Sequence, residues 1–178
     1  MKKFLIVLVI LVLAVAAVGF LGPTEYAIAK SVKIDAEPGA VHEYVGELRK
    51  WPEWSPWEEL DPSIVTTYGD KTTGVGAYQS WTGEDGGGEL TFTRCDPESG
   101  IAYDMAFIME DDKIPATSAM DYKQVDGGTE VTWTMNGDWD GAVPAIMAGW
   151  MKILSPWMIG GPFDQGLENL KARVEAKN

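Results

Sequence analysis

IAYDMAFIM, residues 101–109, places Ile101, Tyr103, Met105, Phe107 and Met109 at every second position, with Asp104 among the residues between them. Successive side chains of a strand point to opposite faces, so this period of two predicts a strand with one buried face. Turn-forming runs bound it, DPESG at 96–100 and EDDKIP at 110–115. Five further runs follow the same pattern: IVTTY (64–68), GAYQSW (76–81), ELTFTRC (89–95), TSAMDYKQV (117–125) and TEVTWTM (129–135). The other breaks are GDKTTG (69–74), GEDGGG (83–88) and DGG (126–128). Such regular spacing predicts one antiparallel meander joined by short hairpins. Upstream, TEYAIAKSVKI (24–34) alternates through Tyr26, Ile28, Val32 and Ile34 and reads as one more strand.

Helical spacing appears in three places. AEPGAVHEYVGELRK (36–50) sets Val41, Tyr44, Val45 and Leu48 on one face, with Pro38 suited to the first turn and Arg49 and Lys50 to the negative end of the dipole. The chain closes with a helical segment over about 144–176, with breaks expected at Pro156 and at Gly160-Gly161-Pro162. Between the first helix and the meander, WPEWSPWEEL (51–60) spaces Trp51, Trp54 and Trp57 three apart, which a short 3₁₀ turn would align on one side. These rings either plug the groove between helix and sheet or rim a cavity entrance. Glu53, Glu58 and Glu59 place the stretch poorly for a membrane interface. One strand, short helices, six strands and a long last helix make an α+β pattern, and that helix is the long element able to cover a sheet face.

Residues 4–21 are 18 consecutive apolar residues behind Lys2 and Lys3. A helix of that length covers roughly 27 Å, close to the hydrocarbon thickness of a bilayer. The reading is an N-terminal membrane anchor over 1–23, its lysines cytoplasmic and the domain at 24–178 on the extracytoplasmic side. The alternative is a signal sequence cleaved after Ala14-Val15-Ala16, which secretes the domain. Either way the domain is exported.

The charge balance excludes several partners. With 14 basic and 27 acidic residues the net charge is −13, and removing Lys2 and Lys3 leaves −15 on the rest. Phosphate neutralisation needs Lys and Arg, so nucleic acid is not an expected partner. One cysteine, Cys95, and one histidine, His42, cannot supply a zinc set, and no metal or cofactor is expected. There is no G-x-S-x-G elbow, P-loop, HExxH or dinucleotide fingerprint. His42, Glu58, Tyr103 and Tyr122 are the titratable candidates for catalysis, without an evident acid–base pair.

VHEYVGELRKWPEWSPWEELDP, GVGAYQSWTGE, GTEVTWTMNGD and FDQGLENLKARVE, spread in order over about 24–175, resemble the SRPBCC (START-like) superfamily, in particular membrane-anchored polyketide cyclase/dehydrase-like proteins. The resemblance implies a helix-grip fold, a curved seven-stranded antiparallel sheet around a long C-terminal helix. It also implies a cavity for lipids, sterols, polyketides or other apolar molecules. Strand parity proposes the lining: Trp81, Phe92, Tyr103, Met105 and Phe107, then Met120, Tyr122, Trp133 and Met135, with Trp54 and Trp57 at the rim. Methionine's flexible, polarizable side chain suits an adaptable apolar surface. Trp150, Leu154, Trp157 and Met158 exceed what one buried helix stripe needs and read as a lid. The leading expectation is a monomeric, membrane-tethered domain that binds a hydrophobic small molecule or lipid between sheet and closing helix. A polyketide cyclase or dehydratase using the same cavity, and a non-catalytic interaction module with a filled core, are the alternatives.

Overall fold

A computed structural model describes residues 2–84, 86–109 and 112–177. Helix α1 (Lys2–Leu21) is followed by strand β1 (Glu25–Ile34), helix α2 (Pro38–Val45), a 3₁₀ turn (Leu48–Glu53) and the short helix α3 (Trp57–Leu60). Six strands follow: β2 (Val65–Tyr68), β3 (Tyr78–Gly83), β4 (Gly86–Asp96), β5 (Gly100–Met109), β6 (Asp112–Val125) and β7 (Gly128–Asp138). Helices α4 (Ala145–Met158) and α5 (Gly160–Glu175) end the chain. The seven strands form one antiparallel sheet in the order β1-β7-β6-β5-β4-β3-β2. The meander is thus closed on one side by β1, which pairs β7 over its whole length from Glu25↔Asp138 to Ile34↔Thr129. A register shift between Phe92 and Arg94 bends β4 against β5. The α+β helix-grip architecture holds as expected: α5 packs along β1 and β7, and α2 crosses β5 and β6.

The core lies between the sheet and these two helices, and includes Ile34, Val41, Val45, Leu48, Ile101 and Met120, all fully enclosed. From α5 it takes Phe163, Leu167, Leu170 and Val174, a spacing of three and four that keeps one face on the sheet. The Phe163 ring stacks on Trp133 at 3.9 Å and 8°.

Four local expectations are corrected. The first helix stops at Val45 rather than running to Lys50, because Leu48 N–H bonds Thr72 O at 3.0 Å and Glu47 bridges Thr73, pulling the chain out of helical register. Pro156 does not interrupt the closing segment; it lies inside α4, and the break falls at Ile159. Pro162 sits in the first turn of α5, where its missing N–H costs nothing. The run EDDKIP is not all turn. Strand β6 starts at Asp112 and carries Pro115 opposite Ala106 of β5. Pairing with β7 begins only at Ala116, so the missing Pro115 N–H lies on an unpaired edge. Likewise Gly86, Gly87 and Gly88, read as turn, belong to β4.

Helix α1 is long and apolar enough to cross a membrane, with nearly all of its side chains exposed. Its last turns touch α4.

Candidate functional site

A partly open cavity of about 140 Å³ lies between the sheet and the segment that carries the three tryptophans. Its floor is Gln79 and Trp81 of β3, Leu90 of β4, Tyr103, Met105 and Phe107 of β5, and Trp133 and Met135 of β7. The register aligns these positions: Gln79 pairs Leu90, Leu90 pairs Met105, and Trp81 pairs Gly88, which in turn pairs Phe107. Parity then sends the whole group to one face. The roof is Trp51, Pro52, Ser55, Trp57 and Glu58, and the side wall Ile64, Thr66 and Tyr68. The expected gap between sheet and C-terminal helix is absent from this lining. Trp133 and Phe163 stack there and fill it, and the open space is displaced under the tryptophan segment.

The tryptophans divide into two roles. Trp51 and Trp54 are core, 6% and 1% exposed. Their indole N–H groups donate to Val45 O at 2.9 Å and Tyr44 O at 3.3 Å, which satisfies the polar tip that a buried indole carries. Trp51 turns one side to the cavity, while Trp54 packs edge-on against Trp133 at 5.6 Å. Trp57, beyond Pro56 and in its own helix, is half-buried and caps the space. Helix α5 holds this roof from behind: Asn169 Nδ2 donates to Trp54 O at 3.2 Å, and Arg173 Nε donates to Glu53 O at 2.9 Å.

Of the residues proposed from sequence for the lining, the structure brings Trp57, Trp81, Tyr103, Met105, Phe107, Trp133 and Met135 together. Trp54, Phe92, Met120 and Tyr122 face the core instead. Trp150, Leu154, Trp157 and Met158 sit on α4, and none of them lines the cavity. Gln79, Ile64, Thr66 and Tyr68 were missed. Gln79 stands two residues before Trp81, so strand parity carries its signal despite its polar side chain, whereas in IVTTY neither parity is uniformly apolar and nothing local marks Ile64, Thr66 and Tyr68 as the inward set.

The polar groups of the cavity are few. Trp133 Nε1 donates to both Tyr103 Oη and Ser118 Oγ at 3.2 Å, and Ser118 Oγ donates to Thr134 O at 2.5 Å. Burial pushes the Tyr103 phenol up to about 12, against the opposing pull of its Ser118 and Trp133 hydrogen bonds. Gln79 is 8% exposed, and its Oε1 has no hydrogen-bond partner among the described residues. At the mouth, Glu58 is exposed and accepts from Thr66 Oγ1 at 3.2 Å.

The four titratable candidates do not converge. Glu58 and Tyr103 line the cavity, whereas His42 and Tyr122 meet elsewhere, edge to face at 6.0 Å. His42 Nε2 lies 3.5 Å from Cys95 Sγ. Burial lowers the His42 pKa, with Asp96 opposing, and burial raises Cys95 and Tyr122. Among the described residues no three His, Cys, Asp or Glu side chains are grouped to hold a metal ion.

Residues 26–175 match the sequence profile of a family described as polyketide cyclase / dehydrase and lipid transport. None of the curated proteins is significantly similar to the chain in sequence. Among solved structures, protein CV1439 from Chromobacterium violaceum is similar with a TM-score of 0.62 and 17% identity, over 84% of this chain and 96% of that one. Ara h 8.0201 is similar with a TM-score of 0.61 and 12% identity, over 85% and 99%. DynU16, a protein of the dynemicin biosynthetic locus, gives 0.53 and 13%, over 85% of this chain and 48% of its own. At these identities the likeness is one of fold.

Proposed function

We propose that this chain, which belongs to the polyketide cyclase / dehydrase and lipid transport family, binds a hydrophobic small molecule or lipid beneath Trp57 and is tethered to a membrane by α1. The observation that carries the reading is the cavity itself: about 140 Å³ walled by aromatic and methionine side chains, with a buried amide turned to it. Apolar cavities of about 150 Å³ hold one benzene, so the space fits a single ring. A larger ligand needs Trp57, Met105 and Phe107 to move, and all three are only half-buried. Binding is driven by apolar burial at about 25 cal/mol per Å². Gln79 then sets polarity: an unpartnered carbonyl in an apolar cavity favours a ligand that brings one hydroxyl or N–H donor.

Lys2 and Lys3, the first residues of α1, support the domain's placement on the extracytoplasmic side, next to the lipid reservoir from which such a molecule is drawn. Among the described residues that line the cavity, Glu58 and Tyr103 have no acid–base partner, and the proposal is one of binding.

The test is native mass spectrometry of the full chain released from nanodiscs, followed by organic extraction. A copurifying apolar molecule near one per chain supports the reading. An empty protein that also takes up no member of a panel of phenols, sterols and fatty acids overturns it.

A further inference from the structure

Residues 141–163 contain no aspartate or glutamate, in a chain that has 27 of them, and a single lysine, Lys152. Helix α4 occupies most of this stretch. Ala148 and Ser155 turn inward, and Trp139 Nε1 donates to Ser155 Oγ at 2.8 Å, which fixes the helix's rotation against the end of β7. On the outward side Ile146, Met147, Ile153, Leu154, Trp157 and Met158 are all exposed, Trp157 to 83%. A contiguous apolar face of this size on a folded domain marks an interaction surface.

What covers it is indicated by α1. The two helices meet at backbone distance: a Cβ added at Gly19 would lie 1.7 Å from Ile146 O, and one at Gly149 would lie 2.2 Å from Val18 O. Small residues that let helix backbones touch are the usual means of packing in lipid. Trp150 Nε1 donates to Val15 O at 3.1 Å. Val15 lies six residues before Leu21, or roughly 9 Å along the helix axis. An α1 that spans a bilayer therefore carries the middle of α4 below the surface with it. Lys152 adds the matching charge: it borders the groove beside Gly22 and Pro23, where α1 leaves the hydrocarbon, at the level of lipid phosphates.

We infer that α4 is a second membrane-embedded element, lying in the interface with its Ile146–Trp157 face in lipid and its Lys152 at the headgroups. The inference rests on the reading of α1 as an anchor. It also orients the cavity. Strand β1 begins at Glu25, just past α1, and Glu25 pairs Asp138 at the end of β7. Trp81, Phe107 and Met135 lie two or three residues from the same ends of their strands. The cavity is therefore in the membrane-proximal half of the sheet, within reach of the bilayer from which a lipophilic ligand is exchanged.

The experiment uses the full chain in phosphatidylcholine nanodiscs, with Cys95→Ala as background and nitroxide labels at Trp157→Cys, Leu154→Cys, Ile10→Cys and Thr93→Cys in separate samples. Collision with oxygen reports lipid, and collision with a water-soluble nickel chelate reports solvent. The expected result is that the labels at 154 and 157 collide several-fold more with oxygen and several-fold less with nickel than the label at Thr93, which is exposed on β4. Nickel access equal to that of Thr93 overturns the inference while a deep Ile10 label leaves the anchor intact. Shielding from both reagents also overturns it, since that indicates cover by protein or a second copy. An Ile10 label in water removes the anchor and the inference together.

Discussion

Trp81 lies flat across Gly88, its cross-strand partner: a Cβ at Gly88 would come within 2.1 Å of the indole ring. The glycine is what lets this ring lie along the cavity floor. Substituting Gly88→Ala will either push the indole into the 140 Å³ space or swing it out of the sheet. Either route costs about 1–3 kcal/mol by overpacking. Urea denaturation reads that loss, and single-ring ligands will bind the variant more weakly than the parent.

Gln79 gives a prediction with two opposite signs. Its buried Oε1 lacks a partner, so Gln79→Leu removes a desolvated carbonyl and will leave stability unchanged or raise it by about 1–3 kcal/mol. The same variant will lose affinity for a phenol by up to about tenfold. Toluene, which matches phenol in shape without the donor, will bind the variant at least as well. Equal losses for both ligands would remove Gln79 from recognition.

Truncating the roof separates volume from stability. Trp57→Ala opens the cavity from its exposed side, and α3 is only four residues long with no buried member. The cost in stability will be well below the roughly 3–5 kcal/mol of a core tryptophan. The upper size limit of ligands will rise from one ring to fused rings, as followed by quenching of the remaining cavity tryptophans. Trp54→Ala, at a fully buried site, will show the full core penalty instead.

Alkaline pH tests Tyr103. Its phenol rises from 10.0 to about 12 in the fold because burial disfavours the phenolate. The folded state thus keeps its proton while the unfolded chain has lost it. The associated stability is fully present below pH 10 and is lost as pH climbs towards 12, amounting to roughly 3 kcal/mol. Tyr103→Phe will flatten the fall in denaturation midpoint over that interval. The Trp133 N–H keeps Ser118 Oγ as acceptor, so the variant retains its fold.

How far the sequence reaches is visible in particular residues. Ile101, Tyr103, Met105 and Phe107 announced their strand by a period of two, and the register then placed their partners without further information. The extensions of β4 into Gly86–Gly88 and of β6 into Asp112–Pro115 were illegible, because Gly, Asp and Pro read locally as turn. Only the ladders make them strand, to β3 and β5 for Gly86–Gly88 and to β5 for Asp112–Pro115. The even spacing of Trp51, Trp54 and Trp57 likewise implied one shared role, yet Pro56 starts a new helix between the second and third rings. Cavity position was the least legible feature. It depends on whether Trp133 and Phe163 meet face to face, a distance that no local pattern encodes.

The roof's attachment has a kinetic consequence. Carbonyls of Glu53 and Trp54 are pinned by Arg173 and Asn169 of α5, whereas among the described residues α3 is tied to that helix by the exposed Gln165–Glu59 hydrogen bond alone. The roof is therefore hinged: its inner half belongs to the slow, globally protected unit and its outer half opens by itself. Amides at Glu58–Leu60 will exchange with deuterium long before those at Leu167 and Leu170. A guest can then enter and leave on the timescale of one loose helical turn, while the strands beneath stay zipped.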